Sequence, residues 1–144
     1  MDQSRKALQY AIAMLKRHEG YRQFPYKDTR GITTIGHGRN LEAKGISILE
    51  AGWLLMQDAT DAASSLASLG CFSGLSPARQ AALIDLTVNL GFGGVLEFHR
   101  MLACLDVSDW ARAAAELKSS LAEKQEPNRI NELAQLIERG EIPT

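Results

Sequence analysis

No stretch of this chain approaches the roughly 18 consecutive apolar residues that a membrane span requires, so stable membrane insertion is not expected. Strong charge of either sign is also missing. The net charge of −1 argues against a protein that depends on basic patches for nucleic acid or anionic membranes. Cysteine is scarce: Cys71 and Cys104 fall in different segments and neither belongs to a CxxC. Two reduced thiols in a cytosolic protein are the expected reading, with a Cys71–Cys104 bridge as the alternative. The three histidines are scattered, and with no paired cysteines a zinc site is not expected, nor any cofactor. The opening MDQSRKALQYAIAMLKRHEG is charged on both sides of a short, interrupted apolar run. It reads as an amphipathic helix and not as a signal peptide. If the substrate lies outside the cytoplasm, the chain is not expected to export itself by the usual route. Internal repeats and low-complexity stretches are absent as well.

What is present is an ordinary globular composition, 45% hydrophobic and 23% charged over 144 residues. That suffices for a core without disulfides or metals, in one domain that can be built as two lobes. Leu8, Ile12 and Leu15 stand at helical spacing across residues 4–17, and Gly20 is placed to end that helix. From Tyr21 to Gly38 the pattern changes. Pro25 interrupts any helix, Ile32 to Ile35 favour strand, and Asp28-Thr29-Arg30-Gly31 is a turn. A small antiparallel sheet of two or three strands is expected, with Asp28 at its turn and Thr34 on the returning strand.

Residues 47–69 read as one long helix, with Ser47 and Glu50 as a capping box and Gly70 ending it. Cys71–Gly74 reads as a linker. Ser76-Pro77 opens an apolar core helix that Gly91, Gly93 and Gly94 should terminate. Short helices follow near 95–105 and 108–122, and a last one runs from Pro127 to Gly140.

The chemistry concentrates in HEGYRQFPYKDTRGITTIGHGRN, residues 18–40. Glu19 closes the first helix, Asp28 follows in the turn and Thr34 on the strand. Two carboxylates on opposite sides of a scissile bond are what acid/base glycoside hydrolysis needs. At a helix C-terminus the dipole disfavours a carboxylate, which suits Glu19 to carry a proton.

Further motifs extend this segment: Gln57-Asp58, Arg79 to Ile84, Asn89-Leu90-Gly91, Phe98, Trp110 and Pro127-Asn128-Arg129. Together with His18-Glu19-Gly20, Tyr26-Lys27-Asp28-Thr29 and Thr34-Ile35-Gly36-His37-Gly38, they make the chain resemble phage lysozymes (endolysins) of the T-even type, the muramidases of glycoside hydrolase family 24. The resemblance spans nearly the whole chain. It implies a mostly helical α+β, lysozyme-like fold in a single domain over 1–144. A small N-terminal lobe with a short antiparallel sheet would occupy about 18–46, a connecting helix about 47–70, and a helical C-terminal lobe about 71–144. The 4–17 helix would pack on that last lobe, and the glycan strand would lie in a cleft between the lobes.

The resemblance also implies roles. Glu19 would be the general acid, Asp28 the second carboxylate and Thr34 the holder of the attacking water. Arg129, His37, Asn89 and Asn128 would bind substrate or tune the acid, with an Arg129–Glu19 ion pair. Arg39 and Asp58 would form a structural ion pair. The implied activity is hydrolysis of the β-1,4 bond from N-acetylmuramic acid to N-acetylglucosamine in peptidoglycan. A monomer would wait in the host cytoplasm until a holin opens the way to the periplasm and cell wall, and would bind no nucleic acid. The rivals are a lytic transglycosylase acting on the same bond through one Glu, and a wall-binding module without turnover.

Overall fold

The computed structural model describes residues 2–121 and 126–144. The chain forms two compact units, Met1–Gly52 and Trp53–Thr144. As expected, the protein is mostly helical with one small antiparallel sheet.

In the first unit, helix α1 spans Gln3–Glu19. The Asp2 carboxylate caps its N-terminus by accepting from the Ser4 N–H at 3.2 Å. Lys16, Arg17 and His18 fill the last turn, where cations suit the dipole, and Gly20 stops the helix at φ 69°. Within its own unit α1 buries none of its residues.

Strands β1 (Arg22–Lys27), β2 (Thr33–Gly36) and β3 (Arg39–Asn40) form the sheet in the order β1-β2-β3, all antiparallel. Tyr26 pairs with Thr34 and Lys27 with Thr33, but the register slips between Arg22 and Tyr26. Pro25 explains both the slip and the placement. It has no N–H for a ladder, so it is tolerated on an edge strand beside a bulge. Helix α2 (Leu41–Lys44) follows directly, its first turn capped by the Asn40 side chain, which accepts from the Ala43 N–H at 2.9 Å.

Helix α3 covers Ile48–Leu66, so its first residues belong to the first unit and the rest to the second. The capping box is formed as read. Ser47 N–H donates to Glu50 Oε2 at 2.7 Å, and Glu50 N–H donates to Ser47 Oγ at 3.2 Å.

In the second unit, the expected linker at Cys71–Gly74 is a 3₁₀ turn, Phe72–Gly74, that buries Phe72. Helix α4 spans Pro77–Leu96 with Ser76 as N-cap and Pro77 in its first turn. Gly91 was expected to end it. Gly91 does leave helical geometry, at φ 76°, but helical hydrogen bonding resumes and carries on to Leu96. Helices α5 (His99–Asp106), α6 (Trp110–Leu121) and α7 (Pro127–Arg139) complete the unit. The expected end of α6 near residue 122 lies outside the described residues.

Helix α6 packs on α5 and α7, and α4 packs on α7. Their shared core includes Leu83, Leu86, Val95, Met101, Leu105, Leu117, Leu133 and Ile137. The apolar stretch of α4 and α5 is spent on this core. No single helix among the described residues is long and apolar enough to cross a membrane. Cys71 and Cys104 are free thiols, and burial, with Asp106 beside it, pushes the Cys71 thiol up.

One side chain ties this unit's ends together. Arg79 of α4 lies 3.8 Å from the Trp110 ring centre. Its Nε donates to the Ile137 carbonyl at 2.8 Å and its Nη2 to the Glu138 carbonyl at 3.2 Å. These are the free carbonyls at the C-terminus of α7, so a cation there also meets the negative end of the dipole. Arg79→Ala should destabilise the protein by about 2 kcal/mol, from charged hydrogen bonds and the ring contact together. Arg79→Lys should recover only part, because an ammonium cannot fork to two carbonyls while lying flat on a ring. Chemical unfolding midpoints check this, and an unchanged midpoint for Arg79→Ala would contradict it.

Candidate active site

Glu19, Asp28 and Thr34 all lie in the first unit, around the β1–β2 hairpin. Glu19 is the last residue of α1 and is exposed. Its carboxylate lies against the β2–β3 turn: a methyl group on Gly38 would fall 2.8 Å from Glu19 Oε2.

Asp28 follows β1 and organises the loop that returns to β2. Its Oδ1 accepts from the Arg30 N–H at 2.8 Å and the Ile32 N–H at 2.9 Å. Its backbone N–H donates to the Ile32 carbonyl at 3.0 Å, and its carbonyl accepts from the Gly31 N–H at 2.9 Å. The Ile32 N–H bond, aided by Arg30, holds this carboxyl below its ordinary value. Asp28 is therefore an anion with one oxygen fixed by the turn. The other, Oδ2, accepts no hydrogen bond from the described residues and has the Arg30 Nε at 3.8 Å.

Thr34 sits on β2, the central strand, at 4% exposure. Its hydroxyl donates to the Ile32 carbonyl at 3.0 Å. The proton is thus committed, and the hydroxyl oxygen remains an acceptor. Ile32 links the two residues, since its N–H holds Asp28 and its carbonyl holds Thr34.

His37, in the β2–β3 turn, is hydrogen-bonded through Nδ1 to the Gly20 carbonyl, and its ring lies 5.5 Å from the Tyr21 ring. A carbonyl only accepts, so Nδ1 carries the proton. Position 37 thereby braces the chain just after Glu19.

The remaining residues divide differently from the sequence reading. Arg39 pairs with Glu50, where Asp58 was expected. Glu50 is fixed at the start of α3 by the capping box. Its bond from the Ser47 N–H holds its carboxyl low, so a ready anion stands next to β3. Asp58 lies two turns further along α3, among the residues of the second unit.

The expected partner of Arg129, Glu19, belongs to the other unit. Within its own unit Arg129 Nε donates to Asp85 Oδ1 at 2.8 Å and Nη1 to Glu126 Oε2 at 3.3 Å. Helix α4 carries Asp85 and packs directly on α7, which supplies the anion locally. Asn89 on α4 and Asn128 in the first turn of α7 are both exposed and belong to that same unit. Among the described residues no group of three His, Cys, Asp or Glu side chains is arranged to hold a metal ion.

The sequence reading missed Glu42, on α2. It accepts from the Thr33 N–H at 2.9 Å, the Thr33 hydroxyl at 2.9 Å and Lys27 Nζ at 3.2 Å. It thereby clamps α2 across the strands leading into and out of the Asp28 loop. The Thr33 backbone bond, then the Thr33 hydroxyl and Lys27, pull its carboxyl down to about 2 from 4.5. A depressed carboxylate contributes its stability above the unfolded value and loses it as pH falls toward the folded one. That window runs from 4.5 down to about 2. Carbon-13 titration of the Glu42 carboxyl should show a midpoint near 2; a midpoint near 4.5 would contradict the clamp.

The "Phage lysozyme" family model matches residues 16–139. "Probable T4-type lysozyme 1" of Dictyostelium discoideum is 31% identical over 159 residues, covering 90% of this chain and 94% of that protein. "Probable T4-type lysozyme 2" of the same organism is 29% identical over the same shares. The "Pre-baseplate central spike protein Gp5" of Enterobacteria phage T4 is 27% identical over 90% of this chain, which spans 28% of that protein. The chain therefore belongs to the phage lysozyme family and is a lysozyme-type enzyme.

Proposed function

We propose that this enzyme is an N-acetylmuramidase that hydrolyses the β-1,4 bond between N-acetylmuramic acid and N-acetylglucosamine in peptidoglycan. The observation that carries the proposal is the state of Asp28. Its turn keeps it ionised, with a second oxygen that accepts no hydrogen bond from the described residues, on the same small unit that presents Glu19. Glu19 protonates the leaving glycosidic oxygen. Asp28 Oδ2 faces the positive charge that develops on the sugar ring and directs water to it, or bonds to the anomeric carbon before water does. Thr34 receives a hydrogen bond from that water, because its own proton is held by Ile32. Arg129, Asn89 and Asn128 are proposed to contact the glycan strand, Arg129 through its Nη2, which neither Asp85 nor Glu126 engages.

The biological setting is part of the proposal. A monomer acts as an endolysin, held in the host cytoplasm and admitted to the wall by a holin. The phage family that the chain belongs to supports that reading. Purified sacculi exposed to the protein should lose turbidity and gain reducing ends at muramic acid. Sacculi that bind the protein without clearing would instead favour a wall-binding module. Bacteria producing the protein should lyse promptly only after their inner membrane is permeabilised. Lysis without permeabilisation would remove the holin from the account.

A further inference from the structure

Five glycines of the first unit adopt positive φ: Gly20, Gly31, Gly36, Gly38 and Gly45. At four of them an added Cβ would meet nothing within 4 Å. Backbone conformation alone accounts for those. Gly38 is different. A methyl group there would lie 2.8 Å from Glu19 Oε2, 3.1 Å from its carboxyl carbon and 3.4 Å from its Cγ.

The contact is local and ordered. Arg22 pairs with Gly36 in the sheet, His37 bonds to the Gly20 carbonyl, and Gly38 backs Glu19. The returning strand thus follows the chain backwards past the sheet's end, and meets the carboxylate where a side chain is missing.

We propose that Gly38 is a positioning residue for the acid. The space left by its absent side chain is the seat of the Glu19 carboxylate, and His37 fixes the height of that seat by donating Nδ1–H to Gly20. The proposal rests on Glu19 being the acid. It adds that the carboxylate's place is set by the β2–β3 turn and not by α1 alone.

The test compares Gly38→Ala with Gly45→Ala, which carries the same kind of left-handed backbone (φ 55°) with open space around it. Both should lose some thermal stability. Gly38→Ala should lower kcat on peptidoglycan fragments by about 100-fold with little change in KM, as expected for a misplaced catalytic group. It should also move the limb of the pH–rate profile that belongs to the acid. Gly45→Ala should keep kcat within about threefold of the wild type, and its pH profile. A folded Gly38→Ala enzyme with wild-type kcat and pH profile would overturn the proposal, as would an equal loss in Gly45→Ala.

Should Gly38→Ala not fold, the His37 pair decides. His37→Ala should lower kcat by about tenfold, and His37→Asn, which can still donate to the Gly20 carbonyl, should recover most of it. Equal activity in the two would overturn the proposal. Glu19→Gln run in parallel separates the failures. If it stays active, the acid assignment falls and the seat with it. If it is inactive while Gly38→Ala and His37→Ala are not, only the seat falls.

Discussion

Glu19→Gln should lower kcat on peptidoglycan by about 100- to 10,000-fold, the range that a positioned general acid supplies. The amide is nearly isosteric with the carboxyl, so it fits the same space against Gly38. It cannot give a proton to a departing sugar oxygen; of the neighbouring histidines, His18 is one residue back along the helix and the His37 Nδ1 proton is held by the Gly20 carbonyl. Substrate affinity should hardly change, since the loss falls on a transition-state interaction. The fold should survive, because Glu19 is exposed at a helix end that Gly20 stops and His37 braces. Matching circular dichroism and thermal midpoints would show this. A Glu19→Gln protein that clears sacculi at the wild-type rate would end the assignment.

Asp28→Asn is the second large effect, and its logic is different. The side-chain oxygen of Asn can still accept from the Arg30 and Ile32 N–H groups, so the turn should persist. The anion is lost, and the free oxygen is exchanged for an amide that only donates. A transition state with positive charge on the sugar should then lose about 100- to 1,000-fold in kcat, the scale of one removed electrostatic partner. The Ile32 bond stabilises ionised Asp28 in the folded state. Folding stability at neutral pH should therefore fall slightly, and the change should shrink below the ordinary carboxylate range, where Asp28 itself takes up a proton. Wild-type kcat in Asp28→Asn would leave one carboxylate doing the chemistry, as a transglycosylase requires.

Much of this was legible in local sequence. The capping box at Ser47 and Glu50, the stop at Gly20 and the Asp28 turn each depend on residues within about four positions of each other, a span over which side chain and backbone choose one another. Ion-pair partners were not legible. Helix α3 offers carboxylates at 50 and 58, and spacing alone does not tell which is already fixed beside the strand that carries Arg39. Arg129 took Asp85, 44 positions earlier, because α4 and α7 pack together.

Short elements escaped for another reason. Helix α2, with 4 residues, is too brief to show a period, and only its Asn40 cap could have announced it. Gly91 was a sound breaker signal, but Val95 is fully buried and Leu90, Phe92 and Phe98 join the same core. That packing draws the chain back into helix after the break. The fit of Glu19 against Gly38 has no sequence signature beyond a glycine, since its meaning lies in what a missing methyl group leaves room for.

The proposed hydrolysis needs a proton from position 19 and an attack by water guided from position 28. Digestion of purified glycan strands in oxygen-18 water, followed by mass spectrometry, tests that directly. Products should carry one heavy oxygen at the new reducing end of N-acetylmuramic acid. Products lighter by a water molecule and free of the label, the mark of an internal anhydro ring, would contradict it.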